Sequence, residues 1–174
     1  MEKNINIIGN KEKEKKSLRT YIESYGCQMN VSDSEIIASF LLKKGFSITN
    51  NLEEANIILI NTCSIREKAE LTLKLRLQKL KYLKSIKRKE PLLFGILGCM
   101  SETIKKLDKE DLVDFVISPD SYRKISDVIF LVRKKKKYSQ ILSKKINETY
   151  DDVTPYQLDH SKKKKNIHKF YLKK

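Results

Sequence analysis

The sequence predicts an α/β fold, an open and mostly parallel sheet with flanking helices. Three observations carry that prediction. Two apolar runs, Ile57 to Ile60 (IILI) and Leu92 to Leu97 (LLFGIL), have the unbroken hydrophobicity of strands buried on both faces. Around them lie segments whose apolar residues recur at helical spacing. Strand and helix alternate along the chain, the order from which crossover helices build a parallel sheet.

Residues 1–17 are polar, with Lys11 to Lys16 reading KEKEKK, and are expected to be a disordered lead-in. The domain is expected over 18–137. Arg19 to Ser24 (RTYIES) is its first strand. Ser32 and Glu35 have the S-x-x-E spacing of a capping box, where each side chain satisfies the other residue's free backbone N–H. Ile36, Ile37, Phe40 and Leu41 follow at helical spacing, and Gly45 is placed to end that helix. After the strand at Ile57, Ser64 and Glu67 form a second such box. It should open a helix with Ala69, Leu73, Leu77, Leu80 and Leu83 on one face, ending by Pro91 after ~24 residues, roughly 35 Å. Leu92 to Leu97 is the next strand. A short helix follows Ser101, Asp114 to Ile117 is a short strand, and Pro119-Asp120 is a turn. Tyr122 to Lys137 is the last helix, with a basic end. Residues 138–160 read as a linker with one strand near Gln140 to Leu142.

The 174 residues fit one domain with tails and are too few for a large multidomain enzyme. With 40% hydrophobic residues the chain is too apolar to be disordered throughout. The net charge of +15 is segregated. Arg66 to Glu90, Arg133 to Lys145 and Ser161 to Lys174 each carry +7, and the rest of the chain is net −6. Such segregation suits a polyanion such as RNA, whose counterions basic side chains release. On composition alone, solvated lysine faces account for it slightly better. No apolar run approaches the length that spans a bilayer, and Met1 to Asn4 lacks the order of a signal peptide. A cytoplasmic protein without a membrane partner is expected, and three cysteines there do not suggest a disulfide framework.

The cysteines are the sharpest signal. Cys27, Cys63 and Cys99 each follow a predicted strand and precede a predicted helix. In a parallel sheet the carboxyl ends of the strands share one edge, where ligands bind. Three cysteines spaced 36 and 36 residues apart should therefore converge. Cys63 lies just before a capped helix N-terminus, whose partial positive charge favours a thiolate. Gly26 and Gly98 each precede a cysteine and leave room for a bulky ligand at the backbone. Converging thiols can be inert buried cysteines, zinc ligands with a fourth position open, or ligands to three irons of a [4Fe–4S] cube. Geometry does not separate zinc from iron–sulfur, and no Cys-x-x-Cys pair is present.

Four segments carry a more specific signal: Tyr21 to Asn30 (YIESYGCQMN), Asn61 to Glu70 (NTCSIREKAE), Gly98-Cys99-Met100, and Ser118 to Tyr122 (SPDSY). In this order they resemble the N-terminal domain of the methylthiotransferase family of radical S-adenosylmethionine (SAM) enzymes, from about Leu18 to Asp159. The resemblance implies a flavodoxin-like fold and an auxiliary [4Fe–4S] cluster on Cys27, Cys63 and Cys99, whose open iron holds the sulfur to be transferred. The Arg66-Glu67-Lys68 form of the second motif is similar to the branch that acts on tRNA. That branch converts N6-isopentenyladenosine beside the anticodon to its 2-methylthio derivative. Ser101 and Ser118 stand where the family usually has Ala and Gly.

The family's full-length enzyme also has a radical SAM barrel, whose Cys-x3-Cys-x2-Cys motif holds a second [4Fe–4S] cluster and binds SAM. These 174 residues contain no fourth cysteine. The expectation is that this chain supplies the sulfur-donor part and is incomplete and inactive alone, or that a separately made radical SAM portion joins it. Residues 138–160 then read as a linker toward an absent radical SAM domain. The run Lys162 to Asn166 must be encoded by an A-rich tract, and slippage there would make 161–174 a basic, out-of-frame tail. A reading frame continuing in another register tests this. Around the cysteines, Gln28, Asn30, Asn61 and Thr62 are candidates to hydrogen-bond the cluster or its ligands. A polar turn at Asn30 and plain helix capping at Thr62 are the competing readings. Tyr25 is read as core or as a shield, Arg66 and Glu67 as contacts to substrate or barrel, and Glu67 also as the capping partner of Ser64. His160 and His168 receive no role.

Overall fold

The structure, a computed structural model, describes residues 17–63, 69–86, 88, 90–98, 111–135, 139–141 and 149–159. Its elements in order are β1 (Arg19–Tyr25), α1 (Gln28–Lys43), β2 (Ser47–Ile48), β3 (Ile57–Thr62), α2 (Ala69–Ser85) and β4 (Leu93–Gly98). There follow β5 (Phe115–Ile117), a 3-10 turn (Pro119–Lys124), α3 (Ile125–Lys135) and β6 (Ser139–Ile141). The strands form one sheet in the order β2-β1-β3-β4-β5-β6, and every pairing is parallel. The expected α/β class is observed.

The register explains the layering. Successive strand residues point to opposite faces, so Tyr21, Ile58, Ile60, Phe94 and Ile96 form one core layer. Against it α2 sets Leu73, Leu77, Leu80 and Leu83, spaced by three and four residues. On the other face Ile22, Ile57, Leu59, Phe115 and Ile117 meet Ile37 and Leu41 of α1 and Ile125, Val128, Ile129 and Val132 of α3. The central strands β3 and β4 are buried along their whole length, as their continuous apolar runs require.

Several boundaries depart from the sequence reading. The helix expected from the Ser32 box starts five residues earlier, at Gln28, with Cys27 as its N-cap. Asn30, at the third helical position, does the work assigned to Glu35: its Oδ1 accepts from Cys27 N at 3.3 Å. Ser32 is simply an exposed residue of the first turns. α2 ends at Ser85, well short of Pro91. Its start, including the Ser64 box with Arg66 and Glu67, lies outside the described residues, as does the helix expected after Ser101. The last helix has its regular α part only from Ile125 rather than Tyr122, after a 3-10 turn in which Asp120 and Ser121 are not helical. The two-residue β2 was not anticipated; β6 falls within a residue of its expected place.

Residues 149–159 lie along α1. Tyr156 N donates to Glu35 O at 3.2 Å, and Ser39 Oγ donates to Thr154 O at 2.7 Å. The segment thus runs antiparallel to α1, toward the end where Cys27 lies. Val153 and Leu158 are buried beneath it, and Tyr150 stacks on Tyr122 at 5.9 Å and edge-on to Phe40 at 5.8 Å.

Candidate functional site

The strand order reverses at β1: the chain steps from β1 outward to β2, then returns to add β3 on the other side. Open parallel sheets bind ligands at such a reversal, outside the carboxyl ends of the strands. Tyr25, Thr62 and Gly98 are register partners in one row across β1, β3 and β4. Cys63 is the next residue after Thr62, and Cys27 lies two beyond Tyr25. Cys27 is exposed and Cys63 half-buried, and neither is in a disulfide. Cys99 follows Gly98 directly in the sequence but lies outside the described residues; Cys27 and Cys63 follow the ends of neighbouring strands. Among the described residues no group of three metal-ligating side chains gathers.

Close approach at this edge depends on two glycines. Gly26 has φ +143°, and a Cβ there would lie 2.4 Å from Asn30 Oδ1 and 3.2 Å from Cys63 Cβ. Gly98 has φ +98°, and a Cβ there would lie 2.2 Å from Thr62 O and 3.0 Å from Asn61 Oδ1. Both backbones are in the region that L side chains avoid. The sequence reading gave these glycines to a bulky ligand; instead the protein's own Asn30, Cys63, Thr62 and Asn61 fill the room, and the Gly26 backbone lies against Cys63.

Beneath the cysteines is a buried polar layer. Asn61 is fully buried and Asn30 nearly so. Asn61 Nδ2 donates to Asn30 O at 2.9 Å and to Ser34 Oγ at 3.1 Å, while Asn30 Nδ2 donates to Asn61 Oδ1 at 3.2 Å. Asn30 Oδ1 also accepts from the Cys27 thiol at 3.4 Å. Ser34 Oγ donates to Asn30 O at 2.8 Å and lies 2.6 Å from Ser24 Oγ. Every polar group in this layer finds a partner, which low local dielectric demands. The positive end of the α1 dipole lies at Cys27. The sequence reading gave that role to Cys63, where the residues that follow are not described.

Of the other candidates, Asn30 is not a polar turn but the first-turn residue that ties Cys27 to β3. Thr62 is a buried strand residue, and Gln28 is exposed at the helix start. Tyr25 packs partly against the core on the α2 face, and its hydroxyl donates to Glu23 Oε2 at 2.9 Å. Glu23 is held in turn by Arg76 of α2, whose Nε lies 2.8 Å from Oε2 and whose second nitrogen pairs with Oε1. Burial, and then the Glu23 charge, push Tyr21 and Tyr25 above the ordinary tyrosine range, so both stay protonated. Burial opposes the Arg76 charge, but Glu23 outweighs it and the net shift is upward. The sequence reading missed this cluster. The available signal was a glutamate on the same strand face as two tyrosines, where an unpaired charge would be costly.

Four described cations of the basic segments are engaged within the domain. Besides Arg76, Lys84 pairs with Asp114 at 2.7 Å, Arg133 pairs with Glu90, and Arg88 donates to Ala55 O at 2.8 Å. Lys84, Arg88 and Arg133 line a cleft of about 420 Å³ beside the first residues of β4, at the sheet edge opposite the cysteines. α2 and α3 both end there, and cations suit helix C-termini.

Residues 19–118 match the model of the uncharacterized protein family UPF0004. The chain belongs to this family. UPF0004 is the N-terminal domain of tRNA methylthiotransferases, as the sequence resemblance implied. Over 137 residues the chain is 50% identical to the tRNA-2-methylthio-N(6)-dimethylallyladenosine synthase of Karelsulcia muelleri, covering 78% of this chain and 29% of that protein. The Christiangramia forsetii protein of the same name is 48% identical over 150 residues, 84% of this chain and 30% of its own length. The mitochondrial tRNA methylthiotransferase CDK5RAP1 of Rattus norvegicus is 45% identical over 147 residues, 82% of this chain and 25% of that protein. The UPF0004 chain therefore spans less than a third of these relatives. Each of them carries the matched region within one longer chain, so the expectation of a separately made radical SAM portion finds no support there. Among the described residues no helix is long and apolar enough to cross a membrane.

Proposed function

We propose that this chain carries the sulfur-donor site of a tRNA methylthiotransferase that converts N6-isopentenyladenosine, next to the anticodon, to its 2-methylthio form. One observation carries the reading: Cys27 and Cys63 stand at the carboxyl ends of neighbouring strands, at the reversal of strand order, over a satisfied polar layer. Relatives named as tRNA methylthiotransferases supply the reaction class.

Cys27, Cys63 and Cys99 would hold an auxiliary [4Fe–4S] cluster. When bound, the cluster presents an iron without a protein ligand, where sulfur for transfer can be held. The protein's own part is positional. Cys27 is fixed as the N-cap of α1, with the helix dipole favouring negative charge there. Gly26 lets the Cys27 loop pack closely on Asn30 and Cys63, and Gly98 lets the end of β4 pack on Thr62 and Asn61. Asn30 and Asn61 orient the Cys27 loop, Thr62 sets the strand end before Cys63, and Gln28 stands exposed at the rim. Catalysis in this reading also needs SAM and a second [4Fe–4S] cluster, which belong to the remaining two thirds of the relatives' length. The substrate partner is tRNA, and with the bacterial relatives we place the reaction in the cytoplasm.

Anaerobic reconstitution with ferrous iron and sulfide tests the reading. The expected product is a brown, oxygen-sensitive protein with about four irons and four sulfides per chain. Replacing Cys27, Cys63 or Cys99 by Ala should abolish that stoichiometry. A chain that takes up one zinc and no sulfide, or tRNA binding alone that is indifferent to Cys27→Ala, overturns it.

A further inference from the structure

Asn61 is a full amide at the end of the central strand β3, whose preceding residues Ile57 to Ile60 are all apolar. It is completely buried. Its contacts reach each of the cysteine-bearing strand ends. Both protons of Nδ2 go to the first turns of α1, at Asn30 O and Ser34 Oγ. Its Oδ1 accepts from Asn30 Nδ2, and Asn30 Oδ1 accepts in turn from the backbone N–H and the thiol of Cys27. The same Oδ1 lies 3.0 Å from where a Cβ on Gly98 would be, against the residue that precedes Cys99. Cys63 is two residues further along the strand that carries Asn61.

We propose that Asn61 is the positioning residue of the cysteine edge, a single buried amide that sets the spacing of the strand-end loops by engaging the first turn of α1 and the backbone at Gly98 together. This deepens the reading above, and rests on it only in taking Cys27 and Cys63 as ligands. An apolar residue at 61 would fill the same strand position and leave Asn30 O and Ser34 with fewer partners. The first turn of α1, and Cys27 with it, would then lose its tie to β3. Asn30 transmits the constraint; Asn61 sets it, because its amide bonds the first turns of α1 and abuts Gly98 at the end of β4.

The test uses the metal-free full chain and dibromobimane, which fluoresces when it bridges two nearby thiols. Peptide mass spectrometry assigns the bridge. The wild type should bridge Cys27 to Cys63. Asn61→Ala should slow that bridge several-fold. Asn30→Asp should slow it too: it keeps an acceptor for Cys27 N and suits the first turn of a helix, but removes the donor to Asn61. Leu77→Ala, a cavity in the core on the other face of the sheet, controls for general destabilisation and should leave the bridge unchanged. In the reconstituted protein, Asn61→Ala should weaken iron binding about 10- to 100-fold. If Asn61→Ala proves unable to fold, Asn30→Asp decides alone. Bridging at the wild-type rate in both asparagine variants overturns the proposal, as does an equal slowing in Leu77→Ala or a wild type that does not bridge these thiols. A wild type that bridges but takes up no iron would refute the cluster and leave the positioning role intact.

Discussion

Gly26→Ala gives the sharpest test of the site's geometry. At φ +143° an alanine is strained, at a cost on the order of 1–3 kcal/mol. Its Cβ would also sit 2.4 Å from Asn30 Oδ1 and 3.0 Å from Asn30 Cγ, so the Asn30 side chain must move. That breaks its bonds to Cys27 N and to Asn61 Oδ1, each worth about 1 kcal/mol. The total, about 3–5 kcal/mol, should lower the melting temperature by roughly 10 °C in a chain of this size. The displaced group is a side chain, so the fold survives and the damage concentrates on the Cys27 loop. At Gly98 the same change meets the Thr62 carbonyl at 2.2 Å, backbone of the central strand that has nowhere to go. Gly98→Ala should therefore destabilise at least as much and damage the sheet itself. Circular dichroism melts give the totals, and hydrogen exchange at β3 separates the two cases. A Gly26→Ala protein that melts within a degree or two of wild type would refute the close packing of Gly26 on Asn30.

Three further outcomes follow from other parts of the structure. Glu23 and Arg76 are a mostly buried pair, so Arg76→Met alone should cost about 3–5 kcal/mol, while the double change Glu23→Leu with Arg76→Met should recover most of it; urea unfolding of the four proteins measures the difference. Burial raises the Asp33 carboxyl above its ordinary value, with the Tyr122 hydroxyl at 3.3 Å only partly opposing this. A raised folded-state value means stability is lost as pH rises through it. Asp33→Asn should accordingly melt higher than wild type at pH 7, with the gap closing below about pH 4. Tyr150 donates to Pro119 O at 2.5 Å, accepts from Tyr122 N at 3.3 Å and packs on Tyr122 and Phe40, so Tyr150→Phe should loosen residues 149–159 by about 1–3 kcal/mol, read as faster proteolytic clipping there without unfolding of the sheet.

The strands and the long helices were legible because burial imposes periodicity. Ile57–Ile60 could only be a strand covered on both sides, and Leu73, Leu77, Leu80 and Leu83 could only be one stripe of a helix. Cys27 and Cys63 were legible for the same reason: once a parallel sheet is inferred, residues just after its strands share an edge. The start of α1 was misread because two capping patterns overlap. Ser32 and Glu35 match the usual residue types, whereas cysteine is an unusual N-cap and only the fold shows that Asn30 reaches back to it. The Glu23–Arg76 pair was hidden because its members are 53 residues apart and each has an ordinary surface reading. The same distance blinds any charge count. Arg76, Lys84, Arg88 and Arg133 swell the basic segments, yet all four are engaged inside the domain.

That last point bears on where RNA would be met. Counterion release requires cations free to contact phosphate, and the two helices that supply most of the described positive charge end at the sheet edge remote from Cys27 and Cys63. There the cations answer helix C-termini and the carboxylates Glu90 and Asp114. Among the described residues the cysteine edge has a different character: an exposed thiol, a half-buried thiol, two glycines and an amide layer bonded within the protein. Under the proposed function such an edge suits a rigidly held group, whereas the described cations at the far edge are already paired with carboxylates. If the proposed function holds, tRNA affinity should respond to salt and the geometry of the cysteine edge to a single methyl group at Gly26, so the two can be varied separately.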